Sequence, residues 1–288
     1  MAASRRDPIA PTYARRGGAG PRTLPAVAPD ASTTPPMVPD LRARLRSGDF
    51  LLGTWLTILD PIVPELLAGG GFDLFIADGE HGAVGTDHLV AMVIATRAAG
   101  VPVLYRVGAN EPVRIMHALD AGAAGVVVPQ VRSPADVERA VAWCRYPPTG
   151  LRGVAPRRVS GYGRGTAAYL KAANDAVMCC AQIETREAMD ALDEIFAVPG
   201  LDTVLIGPND LAASLGHLGE PTHPVVEAAI DRVLERGSAA GIPVGAWTGS
   251  PTQARQRRAQ GFAWATISSD YGFMVAAGDA TVREVREG

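Results

Sequence analysis

Residues 176–210 read AVMCCAQIETREAMDALDEIFAVPGLDTVLIGPND, and their texture changes twice. Ala176–Ile183 is an unbroken apolar run that ends in Gln182-Ile183-Glu184-Thr185. Thr185–Val198 then places Ala188, Leu192, Ile195 and Phe196 on one face, the spacing of a helix that packs on a sheet. Gly200 stops that helix, and Leu201–Ile206 is a second apolar run ending in Gly207-Pro208-Asn209-Asp210. Two short apolar runs joined by an amphipathic helix make a β-α-β unit with parallel strands.

The pattern repeats along the chain. Leu51–Leu56, Asp73–Ala77, Val101–Val107, Gly125–Val131, Ile242–Trp247 and Phe262–Ile267 bring the candidate strands to eight. Asp136–Tyr146 puts Val137, Ala140, Val141 and Cys144 on one helical face. Gly100, Gly122, Gly241 and Gly261 stop further helices, and Ser133-Pro134 and Ser250-Pro251 read as helix starts. Strict alternation predicts a parallel sheet. Eight units in about 250 residues predict a single (β/α)₈ TIM barrel over residues 41–288. The competing open, doubly wound sheet lacks a G-x-G-x-x-G after its first strand. One long irregular stretch, Pro147 to Gly165, carries Gly150, Gly153, Gly161, Gly163 and Gly165, and loops of that length are usually functional.

Residues 1–40 differ in kind. They hold eight prolines and five arginines with little apolar periodicity, so a disordered Pro/Arg-rich extension is expected. The net charge of −3 gives no bulk attraction to nucleic acid or an acidic membrane, and no apolar run approaches the roughly 18 residues of a span. Neither partner is expected. The three cysteines, Cys144, Cys179 and Cys180, lie in hydrophobic surroundings and read as free thiols of a cytoplasmic protein.

In a barrel the chemistry sits where strands end. The first run ends near Trp55, the second in Asp78-Gly79-Glu80-His81, the third carries Arg106, and the fourth ends in Pro129-Gln130. The fifth and sixth end in Glu184 and Asp210, the seventh near Trp247 and the eighth in Ser268-Ser269-Asp270. Two acids at neighbouring strand ends repel unless a cation or shared proton intervenes. A hard divalent ion with oxygen ligands fits, and so does simple capping of the following helices. A charge inside the run Leu104-Tyr105-Arg106-Val107 needs a partner, either a substrate anion or a structural acid. His81 reads as a general base or as a loop residue. Asp120 near a helix C-terminus is electrostatically misplaced, which hints at a specific partner. His88, His117, His217 and His223 show no metal-ligand spacing, and Arg157 and Arg158 read chiefly as a solvated face.

Taken together, the order of these pieces resembles the HpcH/HpaI aldolase family of class II pyruvate aldolases over residues 41–287. The resemblance is carried by Gly53-Thr54-Trp55, Asp78-Gly79-Glu80-His81, Arg106, Leu119-Asp120-Ala121-Gly122, Val128-Pro129 and Tyr146-Pro147-Pro148 with Gly150, Arg152 and Gly153. It continues through Gln182-Ile183-Glu184-Thr185 and Ile206-Gly207-Pro208-Asn209-Asp210-Leu211. The resemblance implies Glu184 and Asp210 as ligands of Mg²⁺, Mn²⁺ or Co²⁺, with Gln182 beside metal and pyruvate. It implies Arg106 as the group that steadies the enolate, His81 paired with Asp120 as the catalytic dyad, and Asp78 in support of that histidine. Trp55, Pro208 and Asn209 are expected to bind substrate. It also implies a homo-oligomer, a hexamer or trimer of dimers, with C-terminal helices exchanged. Ser268-Ser269-Asp270 departs from the glycine that usually precedes the Ser/Asp pair.

The expected reaction is reversible cleavage of a 4-hydroxy-2-oxoacid to pyruvate and an aldehyde. The sole lysine, Lys171, is read within the irregular insert, away from strand ends, so no Schiff base is expected. Rival readings are a citrate-lyase-β or malyl-CoA-type lyase, an oxaloacetate decarboxylase and, in another class, a non-catalytic binding barrel.

Overall fold

The computed structural model describes residues 41–287; the extension expected over residues 1–40 lies outside the described residues. Eight strands close a barrel in chain order: β1 (Leu51–Leu56), β2 (Leu74–Asp78), β3 (Val103–Arg106), β4 (Gly125–Val128), β5 (Met178–Ile183), β6 (Thr203–Ile206), β7 (Val244–Thr248) and β8 (Trp264–Ser269). Every neighbouring pair is parallel, and β8 returns to β1. The open-sheet alternative is thereby excluded. The helices are α1 (Leu41–Ser47), α2 (Ile62–Ala68), α3 (Thr86–Thr96), α4 (Pro112–Ala121), α5 (Pro134–Cys144), α6 (Thr166–Ala176), α7 (Arg186–Asp190), α8 (Leu192–Phe196), α9 (Pro208–Ser214), α10 (Pro224–Ala239), α11 (Pro251–Gln260) and α12 (Asp270–Glu287).

The strand runs are apolar without alternation because both faces are buried. In β2, Leu74 and Ile76 point into the barrel, while Phe75 and Ala77 join the layer beneath the helices. The barrel interior is filled by Leu51, Leu74, Ile76, Leu104, Val127, Met178, Cys180, Leu205 and Trp264, with Leu41 and Leu45 of α1 packed against them. Gly245 makes room for the largest of these. A Cβ there would lie 2.1 Å from the Trp264 ring.

Local signals place most boundaries. Ser133 forms a capping box with Asp136, and Ser250 accepts from the Gln253 N–H. Gly122 and Gly261 end α4 and α11 at φ 102° and 101°, a conformation that favours glycine. Three expectations shift. Helix α5 stops at Cys144 rather than Tyr146, because Pro147 bars Tyr146 from helical backbone. The helix expected over Thr185–Val198 breaks at Ala191 into α7 and α8, and its expected apolar face stays buried. Lys171 stands on α6, exposed, rather than in the irregular stretch. It remains remote from the strand ends.

Parallel closure has one consequence for function. All strand C-termini share one rim, and each helix that follows a strand runs back toward the other.

Candidate active site

A cleft of about 320 Å³ opens on the C-terminal rim. Its lining includes Trp55, Asp78, His81, Arg106, Gln182, Pro208, Asn209, Asp210, Trp247 and Ser269. Glu184 lies beside Gln182 and is 1% exposed. A larger cavity of about 550 Å³ lies among the ends of α3 and α4, the irregular stretch and α6, with Ile94, Leu119 and Tyr162 in its wall. No carboxylate lines it, whereas Asp78 and Asp210 line the smaller cleft.

Arg106 is the most heavily tied group in the cleft. Its Nε and Nη2 donate to Asp78 Oδ1 and Oδ2 at 2.9 and 2.7 Å, a two-pronged fork. Nη1 lies 3.0 Å from Glu80 Oε2, and the guanidinium carbon sits 4.4 Å from the centroid of Trp55. Structural acids therefore partner the charge, while the guanidinium still faces the cleft. Burial pushes the Asp78 carboxyl up, but Arg106 and the N–H groups of Glu80 and His81 outweigh this and hold it below the usual range. Asp78 thus fixes the turn that carries His81 through that residue's backbone rather than its ring. The His81 side chain is 62% exposed, with Nε2 3.9 Å from Glu80 Oε2.

Glu184 is the most deeply buried acid beside the cleft. Its Oε1 accepts from Gln130 N at 2.8 Å, and its Oε2 accepts from Gln182 Nε2. Burial pushes its pKa to about 7 against this hydrogen bonding, and the charges of Asp210 and Glu80 add to the rise. Glu80 is likewise raised, first by burial. Arg106, the cation beside Glu80, is already bound to Asp78. Gln182 Oε1 is buried without a partner. Gly207 keeps the spot open, since a Cβ there would come within 2.6 Å of Glu184 Oε2. Excess carboxylate charge and an orphaned amide oxygen fit a hard divalent cation held by Glu184 and Asp210.

The raised Glu184 pKa has a sign that can be checked. The folded chain keeps this proton to higher pH than the unfolded chain, whose carboxyl ionises near 4.5. The contribution to stability is full below that value and is lost as pH rises through about 7. Metal-stripped protein is expected to lose melting temperature between pH 5 and 8, and Mg²⁺ to recover it. A melting temperature flat across that range contradicts the assignment.

Three contributors were not singled out from the sequence. Glu80 lay in a quoted motif, and a second acid next to His81 was its only signal. Gln130 acts through its N–H from a left-handed backbone, φ 55°, which no residue type announces. Asp270 holds the end of β1 by accepting from the N–H groups of Thr57 and Ile58 and from the Thr57 hydroxyl.

Within the chain Asp120 stands apart from His81. It sits at the far end of α4, toward the opposite rim, and does not line the cleft. Within the chain it cannot orient His81. Its partner is Arg152 Nη2 at 2.5 Å, a buried guanidinium stacked 4.5 Å from the Tyr146 ring centroid. The pair fastens the irregular stretch to α4. Asp120→Ala is expected to cost about 3 kcal/mol, because it strands a buried cation; urea unfolding measures it.

These features define a (β/α)₈-barrel enzyme with a carboxylate-rich cleft beside a fixed guanidinium. The chain belongs to the HpcH/HpaI aldolase/citrate lyase family, whose model matches residues 51–277, and it is an aldehyde-lyase. It is 39% identical over 226 residues to the 2-dehydro-3,6-dideoxy-6-sulfogluconate aldolase of Pseudomonas putida, covering 78% of this chain and 88% of that one. It is 38% identical over 230 residues to the hydroxypyruvate/pyruvate aldolase of Sagittula stellata, covering 80% and 90%. A family member of known structure from Burkholderia cenocepacia superposes with a TM-score of 0.82 at 38% identity, covering 85% of this chain and 98% of that one.

Proposed function

We propose that this enzyme is a class II aldolase that reversibly cleaves a 4-hydroxy-2-oxoacid to pyruvate and an aldehyde, with Mg²⁺, Mn²⁺ or Co²⁺ held by Glu184 and Asp210. The observation that carries the reading is the meeting of Glu184, Gln182, Asp210 and Arg106 at one rim. The pyruvate named in the Sagittula stellata relative supports it. A bound divalent ion supplies Lewis-acid polarisation of the 2-oxo group.

The chain's own residues do the rest. Arg106 holds a fixed positive charge beside the oxygen on which negative charge develops, pre-oriented by Asp78. His81 takes the 4-hydroxyl proton in cleavage as the C3–C4 bond breaks and its electrons pass to C3 and the 2-oxo group. The aldehyde leaves, and a proton then returns to C3. Glu80 Oε2 lies 3.9 Å from His81 Nε2. Trp55, Pro208 and Asn209 shape the cleft around the substrate.

Chelation is expected to abolish turnover. Borohydride with pyruvate is expected to leave the mass of the protein unchanged, since Lys171 is far from the cleft. Full activity after complete metal removal, or a trapped pyruvate adduct, refutes the proposal.

The assembly is proposed as a homo-oligomer of hexamer type. Helix α12 buries only Asp270 and exposes Tyr271, Met274, Val275, Val282 and Val285, more apolar surface than an isolated helix sustains in water. The cytoplasm is the proposed compartment, since all three thiols are buried and free. Among the described residues no helix is long and apolar enough to cross a membrane.

A further inference from the structure

The turn between α9 and α10 reads His217-Leu218-Gly219-Glu220-Pro221-Thr222-His223. Its two histidines lie six positions apart, a spacing that by itself suggests no metal site. The fold brings them together. One ligand atom each from His217, Glu220 and His223 lie within 4.8 Å of one another. The two imidazoles stack, with centroids 3.7 Å apart and planes 18° from parallel.

The main chain, not the side chains, holds this arrangement. His217 N donates to Ala212 O at 2.7 Å, Glu220 N to His217 O at 2.9 Å, and His223 N to Glu220 O at 3.0 Å. Gly216 and Gly219 turn the chain at φ 91° and 83°. Among the described residues no salt bridge engages the Glu220 carboxylate or the His217 ring. Two imidazoles and a carboxylate are thus gathered by backbone geometry with little else to satisfy them.

We propose that His217, Glu220 and His223 bind a first-row divalent ion of the Zn²⁺, Ni²⁺ or Cu²⁺ type, at a site separate from the carboxylate cleft. Imidazole nitrogen selects such ions over Mg²⁺, which prefers all-oxygen ligands. A tetrahedral ion with bonds of about 2.0–2.1 Å holds its ligand atoms about 3.4 Å apart, so binding requires the two rings to turn out of their stack until their nitrogens converge. Glu220 is exposed and both histidines are half-buried, which leaves coordination positions for water.

One existing bond must yield. His223 Nδ1 accepts from Val225 N at 3.2 Å, the capping bond of α10. An ion at Nε2 requires the ring proton on Nδ1, and an ion at Nδ1 displaces the acceptor directly. Either way the ion replaces a long capping bond. It then ties the C-terminal end of α9, the helix that opens with Pro208, Asn209 and Asp210 in the cleft, to the start of α10.

The test is a calorimetric titration of the full chain with Zn²⁺, in Mg²⁺ excess so that the hard-cation site is filled. One Zn²⁺ per chain is expected at this site. His217→Gln and Glu220→Gln should each weaken it about 10–100-fold. His223→Asn, which keeps a cap acceptor, should do the same. An isotherm of His217→Gln that superimposes on the parent overturns the proposal. Should the variants fold poorly, electron paramagnetic resonance of the unaltered protein with one equivalent of Cu²⁺ decides alone. Hyperfine coupling to two imidazole nitrogens is expected, and an all-oxygen spectrum overturns it. Repeating the Zn²⁺ titration in Asp210→Asn keeps this event while removing the cleft ion, so the two sites fail or stand separately.

Discussion

Arg106→Lys is expected to lower kcat/KM by about 10²–10³-fold, the loss typical of removing a fixed donor at a developing oxyanion. The substitution keeps the charge and discards the shape. The guanidinium spans both oxygens of Asp78, reaches Glu80 with its remaining nitrogen and sits over the Trp55 ring. A compact ammonium cannot make the fork and the stack together. It would tilt toward one carboxylate and leave the other short of a donor in a buried setting. The unfolding free energy is therefore expected to fall as well, by about 3 kcal/mol. Steady-state kinetics with pyruvate and an aldehyde, beside urea unfolding, separate the two losses. If the variant keeps parental kcat/KM, charge alone suffices and the positioning role assigned to Asp78 is wrong.

Glu184→Gln is expected to act in opposite directions on activity and on stability. Turnover should fall at least about 10³-fold, because one of two proposed cation ligands is gone and the Lewis acid with it. The metal-free protein should become more stable at pH 8. Holding a buried carboxylate whose pKa has risen from 4.5 to about 7 corresponds to about 3 kcal/mol, and the neutral amide removes that cost. The neighbours tolerate it. Gln182 has an unpaired Oε1 that can turn to accept from the new amide, and the Gln130 N–H keeps its oxygen acceptor. A variant that is both inactive and less stable shows that Glu184 is structural rather than a ligand held ready for a cation.

Most of this architecture was legible because parallel barrel strands are buried on both faces. Their apolar runs are continuous, and the runs extend past the hydrogen-bonded ladder. Val101, Val177 and Leu201 are buried residues just outside β3, β5 and β6, so the apolar runs exceed the strands. The cleft acids were legible because parallel strands end on one rim, so Asp78, Glu184 and Asp210 had to share it. The same rule places Asp120 on the other rim, since α4 runs back from the end of β3. What stayed hidden was carried by backbone: the N–H of Gln130 at positive φ, and the glycine-turned loop that stacks His217 on His223. Residue types and spacing do not report main-chain direction.

The proposed function rests on a divalent cation between Glu184 and Asp210, in reach of a 2-oxoacid. Anomalous diffraction from crystals grown with Mn²⁺ and pyruvate tests it most directly. A Mn²⁺ peak is expected about 2.1 Å from a carboxylate oxygen of each residue, with pyruvate alongside Gln182 and Arg106. Pyruvate bound in the cleft with no Mn²⁺ at that pair, under saturating metal, contradicts it.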